Sequence, residues 1–159
     1  MKNQELSIPY TSLTVEELDE ADRELVERAK TMCSSSYAPY SRFRVGAAVR
    51  LADGTVVSGA NQENAAYPSG TCAERCTMFY ANAAHPDVAP TCIAIAARDE
   101  TGEFTKQPIT PCGACRQVLI ETQHRYGQPL RVLLYGAEQT FVLSSVSLLL
   151  PFQFDANAL

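Results

Sequence analysis

Two short stretches carry reactive side chains at spacings that chemistry can use. The first is TCAERC, residues 71–76, where Glu74 lies two residues after one thiol and two before another. The second is TPCGACRQ, residues 110–117, which holds the C-x-x-C pair Cys112 and Cys115. Taken alone, Thr71 and Glu74 fit a T-x-x-E capping box, in which each side chain satisfies a free backbone N–H at a helix start. The C-x-x-C alone is half of a structural zinc site, a redox dithiol or a coincidence. Residues three apart at a helix start lie on nearly the same side, so the two thiols can share one ion.

A zinc site needs more ligands, and TCAERC is the natural source, because Cys72 also stands at an expected helix start after a loop. If two helix N-termini face one point, three thiolates meet there. The fourth tetrahedral position then stays open, which is the mark of a catalytic rather than a structural zinc. An ion so held makes water a nucleophile near neutral pH. Glu74 beside it can take a proton and hand it to a substrate.

Three thiolates are costly to bury, and each helix N-terminus offsets them with roughly half a positive charge. Arg75 and Arg116 can add full charges, and Arg75 is expected to hydrogen-bond a ligand sulfur. Cys76, one turn after Cys72, is the alternative fourth ligand that would close the site and make it structural. A thiol oxidoreductase built on Cys112 and Cys115 is a further alternative, but it leaves Cys72 and Glu74 without a role. Cys33 and Cys92 lie in apolar patterns and read as buried thiols.

Several elements must position these groups. Thr14 opens a second capping box with Glu17, and Leu18, Ala21, Leu25, Ala29 and Met32 follow at helical spacing to about Ser34. Pro39 excludes helix beyond it. The β-prone runs on either side of Asp53-Gly54 predict a hairpin within 43–61. A helix is expected from Cys72 to about Ala84 and a buried strand over 91–98. Pro111 suits the first turn of a helix running to about Arg125, with Gly127 just past its end. Residues 130–135 and 140–143 read as strands, and 145–150 as a short terminal helix stopped by Pro151. Residues 1–13 read as an irregular lead-in, and 14–159 as one domain. Strand–helix alternation gives an α/β domain with helices covering a mixed sheet.

The 159 residues are 46 % hydrophobic and 19 % charged, which fits one folded domain with a sizeable core. A net charge of −5 argues against gripping nucleic acid. MKNQELSIPY has no apolar run of a secretory signal, and no stretch reaches the ~20 apolar residues of a membrane span. A cytoplasmic location is expected. Six cysteines in a reducing compartment are metal ligands, a catalytic site or buried hydrophobes rather than a disulfide framework.

TCAER followed by PCGACRQ resembles the zinc-dependent cytidine deaminases, specifically the small homotetrameric nucleoside enzymes. The likeness runs from about Thr14 to the C-terminus and includes APYSRFRVGAAV (38–49), NQENAAYP (61–68) and LLPFQF (149–154). It implies a three-layer α/β/α sandwich with a mixed five-stranded sheet. It also implies one zinc per chain on Cys72, Cys112 and Cys115, with Glu74 as the proton carrier. Asn61 and Glu63 match positions that hold the ribose hydroxyls, and Phe43 matches an aromatic against the nucleoside. The Ala73 backbone region matches contacts to the pyrimidine, and Phe154 a C-terminal aromatic that reaches a neighbouring subunit's site.

The implied activity is hydrolytic deamination of cytidine and 2′-deoxycytidine in pyrimidine salvage, by a homotetramer with shared active sites and no nucleic-acid or membrane partner. Other deaminases of the superfamily, acting on guanine, blasticidin, deoxycytidylate or RNA, are rivals, but N-x-E before the zinc motif favours a free nucleoside. A non-catalytic zinc-stabilised module is a rival of a different kind. Cys76 departs from the family, which commonly has a small non-thiol residue there. The tail supports association independently: no charge occurs from Gln139 to Phe154, and SLLLPFQF is strongly apolar.

Overall fold

The computed structural model describes residues 2–156 and Leu159. Its strands are β1 (Thr11–Leu13), β2 (Arg44–Leu51), β3 (Val56–Ala60), β4 (Pro90–Arg98), β5 (Arg131–Tyr135) and β6 (Thr140–Leu143). Its α-helices are α1 (Glu20–Met32), α2 (Ala73–Ala84) and α3 (Gly113–Tyr126). The strands form one mixed sheet in the order β1-β6-β5-β4-β2-β3. Only β4 and β5 run parallel; the other neighbours are antiparallel. A parallel pair needs a crossover, and α3 supplies it.

Strand side chains alternate between faces, so the sheet divides the core in two. Val45, Ala47 and Val49 of β2 share one face with Ile93, Ile95 and Ala97 of β4. There they pack against Met78 and Ala81 of α2 and Leu119 and Ile120 of α3. Ala48, Cys92, Ala94 and Ala96 face the other way, against Leu25, Val26 and Ala29 of α1. Burial on both faces explains why 91–98 is apolar without alternation. Helix α1 sits very close to β2: a Cβ on Gly46 would lie 2.1 Å from the carbonyl oxygen of Ala29. No other residue fits there without moving the helix.

The three layers agree with expectation, but the sheet has six strands, not five. The sixth is Thr11–Leu13, inside the stretch that reads as irregular, paired to β6 from Thr11↔Val142 to Leu13↔Thr140. Three residues are too short to show a period, so this strand exists because β6 offers a free edge. A tilted contact of Tyr10 with Phe141, with ring centroids 4.8 Å apart, helps hold it.

The first helix differs too. Thr14 N–H does donate to Glu17 Oε2 at 2.8 Å, but the box closes a single 3-10 turn. The chain then extends at Leu18, and Asp19 caps α1 by accepting from Asp22 N–H at 2.8 Å. Ala21, expected inside, is exposed, and Asp22 is buried in its place. Asp22 Oδ1 lies 2.9 Å from Arg50 Nη2, and its Oδ2 lies 2.6 Å from Arg131 Nη2. Two guanidinium groups from β2 and β5 turn an acid into a core residue. The stretch 145–150 forms only a 3-10 turn, Val146–Leu149, with Ser145 Oγ accepting from Ser147 N–H.

Candidate active site

The sequence places a cysteine at the N-cap of both α2 and α3. Cys72 (φ −69°, ψ 154°) and Cys112 (φ −65°, ψ 166°) take the extended conformation of a cap, yet neither makes a side-chain capping bond. Serine or aspartate usually stands there to accept from the first free N–H groups. A thiolate in that position leaves those N–H groups and the positive helix end facing the sulfur. The Thr71–Glu74 capping box therefore does not form. Thr71 precedes the cap and pairs with Gln62 through backbone bonds of 2.8 and 2.9 Å.

The two caps bring three sulfurs together. Cys72 Sγ is 4.0 Å from Cys112 Sγ, which is 3.5 Å from Cys115 Sγ, and all three lie within 4.8 Å of one another. Thiolates at about 2.3 Å from a tetrahedral zinc stand about 3.8 Å apart, so this set fits the ion. Among the described residues no further His, Cys, Asp or Glu joins the group. Cys76 stays outside it, its Cβ lying against Gly59 of β3. A zinc held by these three sulfurs would keep its fourth position for a water or a substrate. Cys33 and Cys92 are buried far from water, and burial pushes the Cys92 thiol up to about 12.

Glu74 occupies the second position of α2 and is only 4 % exposed. Burial pushes its carboxyl above the ordinary range, and the charge of Cys72 adds to this, while a hydrogen bond from Cys115 works the other way. Hydrogen bonds from Cys115, and then from Arg75 and Cys112, pull the Cys72 thiol down to about 5. The same contact with Cys72, together with burial, pushes Cys115 up. Thiols bind a cation as thiolates, so loading this cluster with one releases protons.

Arg75 Nη2 lies 3.9 Å from Cys72 Sγ, as expected of a cation beside a ligand. Arg116 does not share that role. Its guanidinium donates to the carbonyls of Pro111 and Leu149, both at 2.8 Å, and to Thr110 Oγ1 at 3.2 Å. It ties the loop before α3 to the C-terminal 3-10 turn.

Beside the sulfurs opens a cavity of about 580 Å³, with Tyr40, Ser41, Asn61, Glu63, Cys72 and Arg75 in its wall. Backbone pairing assembles it. Gln62 bridges Thr71 on one side and Tyr37 on the other, which draws N-x-E against the metal motif. Asn61 Oδ1 accepts from Val45 N–H (2.8 Å) and Ser36 Oγ (2.6 Å), and its Nδ2 donates to Phe43 O at 3.0 Å. Glu63 Oε2 accepts from the N–H groups of Tyr40 (2.9 Å) and Ser41 (3.3 Å), and Oε1 from Ser41 Oγ (2.5 Å). Ser41 foremost holds the Glu63 carboxyl below its usual range.

The other expected residues are placed less directly. Phe43 is half-buried against the core, and Ala73 is fully buried in the first turn of α2. Phe154 is 60 % exposed, and its carbonyl accepts from Gln117 Nε2 at 2.9 Å. It stands outside this chain's own cavity wall. No role for Tyr40 or Ser41 follows from sequence reasoning, since only their hydrogen bonds to Glu63 tie them to the site.

Residues 19–126 match the family described as the cytidine and deoxycytidylate deaminase zinc-binding region. That range contains all three sulfurs and Glu74. The chain belongs to this family. As a member it is a deaminase, and the matched region is the one the family is described as using to bind zinc. The deaminase is 46 % identical over 98 residues to a cytidine deaminase of Halalkalibacterium halodurans, covering 61 % of this chain and 68 % of that one. It is 32 % identical over 134 residues to a probable cytidine deaminase of Dictyostelium discoideum, covering 84 % of each. A crystal structure of cytidine deaminase from Burkholderia pseudomallei superposes with a TM-score of 0.68 at 42 % identity, over 82 % of this chain and 97 % of that one. No helix among the described residues is long and apolar enough to cross a membrane.

Proposed function

We propose that this deaminase converts cytidine and 2′-deoxycytidine to uridine and deoxyuridine with release of ammonia, in pyrimidine salvage. The observation that carries the reading is a buried carboxyl, Glu74, beside Cys72 and Cys115 of a three-sulfur cluster that fits one zinc, with Cys72 in the wall of a cavity. Cys72, Cys112 and Cys115 would hold that ion, one per chain, and when bound it supplies Lewis acidity that makes water nucleophilic near neutral pH.

The protein's own groups handle the protons. Glu74 takes a proton from the attacking water and delivers it to ring nitrogen N3 as C4 becomes tetrahedral. It then passes the second proton to the amine, which leaves as ammonia, and the C4–O bond remains. Burial suits Glu74 to this task, because a carboxyl held above its ordinary range is a stronger base toward water and lies nearer the working pH, where it can both take and give a proton. Arg75 offsets the negative charge of Cys72. Asn61 and Glu63 meet the ribose hydroxyls, Phe43 supports the nucleoside, and the Ala73 backbone faces the pyrimidine.

The working form is a homotetramer in which Phe154 completes a neighbour's site. Exposed aromatics support association: Phe79 and Tyr80 on α2, Tyr67 at the cavity, and Phe152 and Phe154 in the tail. All six cysteines are free, which fits a reducing cytoplasm. The test is ammonia release from zinc-replete protein with cytidine, deoxycytidine, adenosine, guanine and blasticidin S, alongside zinc per chain. We expect turnover of the first two only and one zinc per chain. Ammonia from another member of the panel alone would move the protein elsewhere in the family.

A further inference from the structure

We propose that Ser41 is a positioning residue that sets the two nucleoside-facing groups, Glu63 and Phe43, in place before substrate arrives. This rests on the nucleoside reading above and adds a residue to it. Ser41 Oγ donates its proton to Glu63 Oε1 at 2.5 Å and accepts from Phe43 N–H at 3.0 Å. One hydroxyl therefore bridges the carboxylate on one wall and the aromatic that follows it in the chain.

Neighbouring bonds show that this bridge belongs to a built arrangement. Phe43 is held from its other side by Asn61 Nδ2 on its carbonyl. Arg42, between Ser41 and Phe43, sits at φ 56°, a left-handed conformation that a non-glycine residue adopts only when its surroundings hold it. Glu63 also accepts from the Tyr40 and Ser41 N–H groups. A carboxylate has about four lone-pair directions, so these three donors leave one for a substrate hydroxyl. Glu63 is half-buried at the cavity wall, and a carboxylate there without such clamps would have to be ordered at the moment of binding.

The consequence falls mainly on substrate hydroxyls, through Glu63, and less on the rest of the nucleoside, through Phe43. Ser41→Ala removes a charge-assisted bond to Glu63 and the acceptor for Phe43 N–H, which should loosen the grip on the sugar and leave proton transfer by Glu74 intact. The experiment measures KM and kcat for cytidine and for 2′,3′-dideoxycytidine, which lacks both hydroxyls, in the zinc-loaded wild type, Ser41→Ala and Ser41→Thr. For Ser41→Ala we expect the KM for cytidine to rise about tenfold or more, with kcat within about threefold. The KM for dideoxycytidine should rise much less, since of the two groups Ser41 sets only Phe43 touches it, and Ser41→Thr, which keeps the hydroxyl, should restore the cytidine value.

Equal changes for both substrates, no change in either, or a fall in kcat alone would overturn the inference while leaving the deaminase reading in place. Wild-type protein that releases no ammonia from cytidine would overturn both. If Ser41→Ala does not fold, Ser41→Cys, similar in size but a weaker donor, gives the same comparison. It should show the same selective loss, and equal loss on both substrates would again overturn the role.

Discussion

Glu74 is a carboxyl in a place where burial and a neighbouring thiolate both oppose its charge. A hydrogen bond from Cys115 and the charge of Arg75 offset this only in part, and Glu74 does not cap α2. Such a setting suits the proton transfer proposed for it. Glu74→Gln keeps the shape and removes the proton. We expect it to bind zinc at one equivalent and to melt near the wild-type temperature. Its kcat should fall by at least 10²–10⁴, the usual weight of acid–base catalysis. Metal analysis and steady-state kinetics on the same sample check this, and near-normal turnover would remove Glu74 from the chemistry. The residue types at this site were legible in the sequence, because cysteine at C-x-x-C spacing has few uses. Cys76 was ambiguous there because one turn of helix places it on roughly the same side as Cys72. Packing against Gly59 decides that it stays out.

The elements deliver these residues, and Asp22 shows how a charge can organise one. It fastens α1 to β2 and β5 through Arg50 and Arg131. Burial alone would raise its pKa, but the hydrogen bonds from Arg131 and Arg50 outweigh that, so its carboxyl sits below the ordinary range. A lowered carboxylate stabilises the fold at pH values above about 4, its unfolded value, and that contribution is lost as pH falls through the folded value. Asp22→Asn should therefore destabilise the protein by about 2 kcal/mol at neutral pH, a figure below that of a fully buried pair because both arginines are partly exposed. The gap between wild type and variant should close below about pH 4. Thermal melts across that range check it, and a gap independent of pH would contradict the ionic account. Helical periodicity brought Ala21 inward and left Asp22 out. Apolar counting alone cannot see that two arginines, 28 and 109 residues away, will meet the acid.

At the scale of the whole molecule, the exposed aromatics and the uncharged tail point beyond one chain. Phe152 is 99 % exposed, close to Phe154 in a stretch without charge. Such a surface is a liability unless covered. We expect the protein to elute on size exclusion at four times the mass of one chain. Phe154→Ala should lower kcat/KM severalfold without loss of zinc, because its ring would complete a neighbour's site. Elution as a monomer with full activity would exclude shared sites.

The sequence by itself determined the chemistry and the order of the layers. Metal-binding side chains at helix starts, apolar runs and turn residues are local signals whose meaning lies within a few residues. Only the tertiary structure decided that Cys72 would cap a helix in place of Thr71, that β6 would accept Thr11–Leu13, and that Ser41 would stand between Glu63 and Phe43. Each of these depends on a partner supplied from far along the chain, through a sheet edge, a backbone bridge or a single hydroxyl. Such partners leave no periodic trace in the residues that come to depend on them.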